Sequence, residues 1–156
     1  MKIKIGALLV SIMLPFVVGA IGGGATVSEI GSWYAGINKP GLLPPNGVFG
    51  PVWTILYLMM GISFYLVWTK GKSKKMSTMW GLFLGQLGLN LLWSFLFFKW
   101  HLLLLASVEI VVLWGVILAN ILSFRKIDRL ASGLLIPYLL WVSFASYLTI
   151  GVWWLN

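Results

Sequence analysis

Any chemistry in this chain must come from an unusual set of side chains. The 156 residues hold ten Trp, nine Phe and five Tyr, but only three acids, one His and no Cys. Paired carboxylates for acid–base work, a Ser-His-Asp arrangement and a phosphate-cradling glycine loop cannot be assembled from so few polar groups. The lack of Cys removes disulfides, thiolate metal sites and thiol nucleophiles. His101 lies beside Trp100 at the edge of an apolar run, which leaves no His inside a run to ligate haem iron. No metal site and no required cofactor are therefore expected. What indoles and phenols do well is stack on a flat apolar ligand and hydrogen-bond its edge.

The elements that must position these rings are membrane helices. Hydrophobic residues make up 60% of the chain and charged residues 9%, against about a quarter charged in a soluble domain. Apolar runs at 5–25, 48–68, 79–97, 102–124 and 130–153 are each long enough to cross a bilayer. The expected fold is an all-α membrane protein, a single bundle of five transmembrane helices occupying 1–156. A cleavable signal peptide is the alternative reading of Lys2, Lys4 and the first run, but that run exceeds a usual signal core. Lys2, Lys4, Lys70, Lys72, Lys74, Lys75, Arg125, Lys126 and Arg129 fall on one side of the bundle, and Lys39 and Lys99 on the other. The excess of basic residues predicts a cell-membrane protein with a cytoplasmic N-terminus and an outer C-terminus. The net charge of +8 is scattered between apolar runs and forms no stripe, so nucleic-acid binding is not expected.

Six of the ten Trp (Trp33, Trp68, Trp80, Trp100, Trp153 and Trp154) fall at run ends, where an interfacial belt accounts for them. Trp53, Trp93, Trp114 and Trp141 lie inside runs. Counted at about 1.5 Å per residue, Trp53, Asn90, Glu109, Tyr147 and Trp141 share the outer half of the bundle. Polar groups at such depth are costly toward lipid and should face inward. Helical spacing then puts Gln86, Asn90 and Trp93 on one face of the third helix, Trp53 and Tyr57 on one face of the second, and Trp141, Ala145 and Leu148 on one face of the fifth. The result is an aromatic cavity beneath the long loop 29–46, whose Pro40, Pro44 and Pro45 suit a lid. Gln86 and Asn90 fit interhelical hydrogen bonding as well as ligand contact. Glu109 is read as a protonated acid bonded to a neighbouring helix, with proton-coupled transport as the alternative. Gly19 with Gly23, and Gly81 with Gly85 and Gly88, are small-residue pairs that permit close helix approach, the second set on a face suited to a homodimer.

The run Trp33-Tyr34-Ala35-Gly36-Ile37-Asn38-Lys39-Pro40 with Pro44-Pro45, and then Phe49-Gly50-Pro51-Val52-Trp53-Thr54-Ile55-Leu56-Tyr57 with Met60-Gly61, resembles the first loop and second helix of the translocator protein family. Its members are also called tryptophan-rich sensory proteins or peripheral benzodiazepine receptors. Gly85-Gln86-Leu87-Gly88-Leu89-Asn90 with Trp93 and Phe97-Phe98 is similar to the family's third helix, and Pro137-Tyr138-Leu139-Leu140-Trp141 with Phe144-Ala145 to its fifth. The resemblance implies a five-helix bundle, often dimeric, that binds porphyrins such as protoporphyrin IX beneath the first loop. By motif, Tyr34, Pro44, Phe49, Trp53, Asn90, Trp93, Trp141 and Ala145 would line that pocket, and Tyr57 joins them from its helix face. Trp53 and Trp141 match the tryptophans that the family is implicated in using for porphyrin breakdown.

The pattern also departs from the family. A usual Trp is missing from the Gly41-Leu42-Leu43 stretch, Ser94 stands where a Pro is common, and Leu148-Thr149 replaces Leu-Asn. Ile150 and Trp154 occupy the places of the Tyr and the basic residue of the animal sterol motif, so cholesterol recognition by that motif is not expected. The leading functional reading is a tetrapyrrole-binding, receptor-like membrane protein. The alternatives are a porphyrin-degrading enzyme acting through Trp53 and Trp141, and a transporter of porphyrin or other small hydrophobic molecules.

Overall fold

The computed structural model describes residues 3–71 and 73–156, with side chains except those at 73–75. Lys2, Lys72, Lys74 and Lys75 of the basic tally lie outside that description. The described chain is helical: α1 (Ile5–Ile30), α2 (Trp33–Gly36), α3 (Phe49–Lys70), α4 (Ser73–Ser94), α5 (Leu103–Arg125), α6 (Arg129–Leu134) and α7 (Ile136–Leu155). Five helical stretches among these residues are long and apolar enough to cross a membrane. α1 packs on α3 and α4, α4 on α5, α5 on α7, and α6 on α3, which closes a ring of helices.

The packing is reversed relative to a soluble protein. Val17, Ile55, Leu84, Val111 and Leu140 face outward, whereas Gln86, Asn90 and Asn120 are almost fully buried. Water would penalise such a surface and hydrocarbon does not. The centre is aromatic and dense. Phe64 stacks on Phe83 with centroids 4.0 Å apart, and Trp80 meets Phe64 edge-on at 4.5 Å. Trp68 and Trp80 therefore pack against each other and the core, a second role beyond the interfacial one. α1 crosses α3 at Gly61, where a Cβ would come within 2.8 Å of the Ile12 Cα, so only glycine permits this approach.

Helix ends differ from the sequence expectation for identifiable reasons. α1 continues past 25 to Ile30, and the loop loses its first two residues to that helix and four more to α2. α4 ends in a π-helical turn, Phe95–Lys99, which buries both Phe97 and Phe98. The fifth span is two helices, α6 and α7. Pro137 has no N–H for the Gly133 carbonyl, and the chain tightens instead through Leu135 N–H to Ser132 O at 3.2 Å. Asp128 caps α6, its carboxylate accepting from Ala131 N–H at 2.8 Å.

Candidate functional site

Past the Gly61 crossing, the C-terminal half of α1 meets α3 again where Gly19 faces Tyr57. Between them, α2 and the end of α4 lies a cavity of about 550 Å³, in the size range of small-molecule sites. Its walls are Tyr34 from α2, Phe49, Trp53 and Tyr57 from α3, and Trp93 with Phe98 from the end of α4. α1 supplies the opposite wall through Phe16, Gly19, Ala20, Gly23 and Thr26. One side is aromatic, and the α1 side sets small residues at Gly19, Ala20 and Gly23 among the larger Phe16, Thr26, Val27 and Ile30.

The aromatic wall is fixed from behind. Trp53 stacks on Tyr57 with centroids 5.4 Å apart and meets Tyr138 edge-on at 6.2 Å. Tyr57 O–H donates to Asn90 Oδ1 at 2.9 Å, and Asn90 Nδ2 donates to Tyr138 Oη at 3.4 Å. Asn90 therefore joins three helices and stands behind the wall, not on it. Trp93 stacks on Phe97 at 5.6 Å, and its Nε1 is a buried donor without a hydrogen-bond partner. Burial also pushes the Tyr34 phenol above its ordinary pKa, so that ring is neutral.

The loop above the cavity is fastened unevenly. Asn38 N–H donates to Asn156 Oδ1 at 3.0 Å and Asn156 Nδ2 returns a bond to Asn38 O at 2.9 Å. Tyr147 O–H donates to Gly41 O at 2.9 Å, and Pro40 rests on Gly151. At the other end, Glu29 lies 3.5 Å from Lys99 Nζ and 3.6 Å from His101 Nε2. His101 in turn stacks on Trp33 at 4.0 Å. His101 and Leu42 both hold left-handed backbone, φ 55° and 62°, which disfavours side-chain-bearing residues. No tie of these kinds reaches the described residues 42–45.

The sequence agrees with this architecture at the level of the whole chain. A family model described as TspO/MBR family matches residues 11–155. The chain belongs to the TspO/MBR family. It is 41% identical over 157 residues to Tryptophan-rich protein TspO of Chlorobaculum tepidum, covering 100% of this chain and 99% of the relative. Tryptophan-rich protein TspO of Archaeoglobus fulgidus is 40% identical over 152 residues, 96% of each chain. The human Translocator protein is 40% identical over 123 residues, 78% of this chain and 73% of that one.

In this TspO/MBR chain the residues singled out from sequence divide between two places. Tyr34, Phe49, Trp53, Tyr57 and Trp93 line the cavity. Trp141 lies instead in a furrow between α3 and α7 with Val52, Ile55, Met59 and Phe144, and meets the cavity residue Phe49 edge-on at 5.7 Å. Ala145 is buried in the core, and Pro44 is a loop residue outside the cavity lining. Trp114 Nε1 donates to Ser143 Oγ at 2.8 Å, which explains its place within a span.

The α1 wall was not legible as a wall. Gly19 and Gly23 suggested close helix contact, and Gly19 does meet Tyr57, but a Cβ on Gly23 would face nothing within 4 Å. Glu109 also departs from expectation: both carboxylate oxygens are buried and neither has a partner among the described residues, so the expected bond to a neighbouring helix is not found there. Gln86 likewise makes no interhelical bond. Among the described residues no group of three His, Asp or Glu side chains could hold a metal ion.

Proposed function

We propose that this TspO/MBR-family membrane protein binds a planar tetrapyrrole, such as protoporphyrin IX, in the cavity between α1 and the Trp53–Tyr57 wall. The observation that carries the reading is the pairing of that stacked aromatic wall with the small residues Gly19, Ala20 and Gly23 of α1 across the cavity. A flat apolar macrocycle stacks on indole and phenol while its second face rests on α1, where the small residues leave the most room. The unpartnered Trp93 Nε1 is the donor best placed for a polar edge, because the Asn90 amide is engaged by two tyrosines. The membrane setting is supported by the five long apolar helices, and the names of the relatives say nothing of the ligand.

The orientation proposed for this site has the N-terminus cytoplasmic. Lys4, Lys70, Arg125, Lys126 and Arg129 gather at one end of the bundle, joined there by Lys70 with Asp128 and by Lys4 N–H to Tyr65 Oη at 3.2 Å. The cavity and its loop then face outward.

Titration of protoporphyrin IX into detergent-solubilised protein is expected to give saturable quenching of Trp fluorescence. Trp53→Phe should weaken it several-fold and Trp141→Phe much less, given the furrow position of Trp141. Quenching indifferent to Trp53→Phe would overturn the site. Light-driven porphyrin degradation is a second reading, favoured by the ring contacts of Trp53 with both Tyr57 and Tyr138. It requires a new absorbing product on illumination that Trp53→Phe does not form.

A further inference from the structure

Tyr57 occupies space that a side chain at position 19 would need. A Cβ on Gly19 would lie 2.3 Å from Tyr57 Cε2, 2.7 Å from Cδ2 and 2.9 Å from Cζ, far inside the 3.5–4.0 Å of an ordinary carbon contact. The phenol ring thus rests against the bare backbone of α1. Its other contacts give it little freedom to yield. Trp53 stacks on it at 5.4 Å, Phe16 tilts against it at 6.4 Å, and its hydroxyl is held by Asn90. Asn90 continues to Tyr138, and Tyr138 returns to Trp53. The four residues form a closed circuit across α3, α4 and α7, and Gly19 is where α1 meets it. One turn along, Gly23 opens to the cavity with nothing within 4 Å of a Cβ. The two glycines therefore differ: one seats a ring and the other leaves room.

We propose that Gly19 is a positioning residue for the ligand site, seating Tyr57 and through it Trp53, and so setting the depth at which a flat aromatic ligand lies. The proposal rests on the reading of this cavity as the tetrapyrrole site. A methyl group at position 19 displaces the Tyr57 ring, and the displacement either breaks the bond to Asn90 or pushes the ring into the cavity. Both reduce the stacking surface offered beside Trp53.

The test is a double-mutant cycle read by protoporphyrin IX binding. Gly19→Ala is expected to weaken binding up to about tenfold, the scale of one lost aromatic contact. In a Tyr57→Ala background, the same Gly19→Ala change is expected to alter affinity less than about twofold, because the ring it would displace is gone. Equal losses in both backgrounds would mean that position 19 acts through general α1 packing, and no loss in either would mean that it does not position the site. Both results overturn the proposal. A ligand-free readout separates this from the binding hypothesis. The Asn90 side-chain amide resonances of the empty protein in micelles should move in Gly19→Ala while amide signals from the α5–α7 contact stay in place. If the wild type binds no porphyrin saturably but the Asn90 signals move, the tetrapyrrole reading fails and the seating of Tyr57 stands. Unmoved Asn90 signals refute the seating itself.

Discussion

At the scale of single residues, Glu109 and Asn90 are the instructive pair. Both are polar positions inside spans, yet Asn90 bonds two tyrosines on different helices while Glu109, only 7% exposed, leaves both oxygens without a partner. An unpaired buried carboxylate costs far more than the neutral acid, and even the acid forfeits its hydrogen bonds. Glu109→Leu is therefore expected to stabilise the protein by about 1–3 kcal/mol, seen as a melting temperature in detergent several degrees higher. Glu109→Gln should stay close to wild type. A lower melting temperature for Glu109→Leu would mean that the carboxyl has a stabilising partner after all. The acid was visible in the sequence because any charge inside an apolar run stands out. Its lack of a partner was not, since that depends on which side chains the neighbouring helices bring to the same depth.

At the scale of elements, α6 and the long loop between α1 and α3 carry the testable consequences. Asp128 caps α6 and pairs with Lys70, and the hydrogen bond from Lys70, aided by Ala131 N–H, holds its carboxyl below its ordinary value of 3.8. A carboxyl depressed in the folded state stabilises fully above its unfolded value, and that contribution fades as pH falls through the lower folded value. Asp128→Ala should cost about 1 kcal/mol near neutral pH, the usual worth of a cap. The difference from wild type should begin to shrink in melts taken below roughly pH 4, near the unfolded carboxyl value, and close only once the pH is below the lower folded value. A gap that persisted unchanged in acid would assign the loss to packing. The loop is expected to behave as two segments in hydrogen exchange. Residues 31–41, tied through Trp33, Asn38 and Gly41, should be protected with or without porphyrin. Residues 42–48, which include the left-handed and 85% exposed Leu42, should gain protection when ligand is bound. Uniform exchange along 31–48 in both states would remove the distinction. Prolines made this loop recognisable, but the ties of Asn38 and Gly41 run to residues more than a hundred positions away, and local chemistry does not encode them.

At the scale of the whole molecule, the outward face of α4 is the unfinished surface. Gly81, Gly85 and Gly88 are exposed and a Cβ on any of them would meet nothing within 4 Å. Their lack of side chains therefore serves no contact among the described residues. If a second copy packs there, Gly85→Leu should lower the dimer fraction in light scattering without changing the melting temperature of the monomer, and an unaltered mass would place any dimer contact elsewhere. The sequence by itself determined the helical class, the five apolar spans, the gathering of Tyr34, Phe49, Trp53, Tyr57 and Trp93, and the family. Hydrophobic length and charge are local quantities, and a ring at a given height on a given helix face is a matter of spacing. Tertiary structure decided the rest. It made α1 a wall of the cavity, put Asn90 behind the opposite, aromatic wall, placed Trp141 in a separate furrow and broke the last span before Pro137. The physical reason is that these outcomes depend on how helices cross. The Gly61 contact sets where α1 crosses α3, and the cavity lies between those two helices.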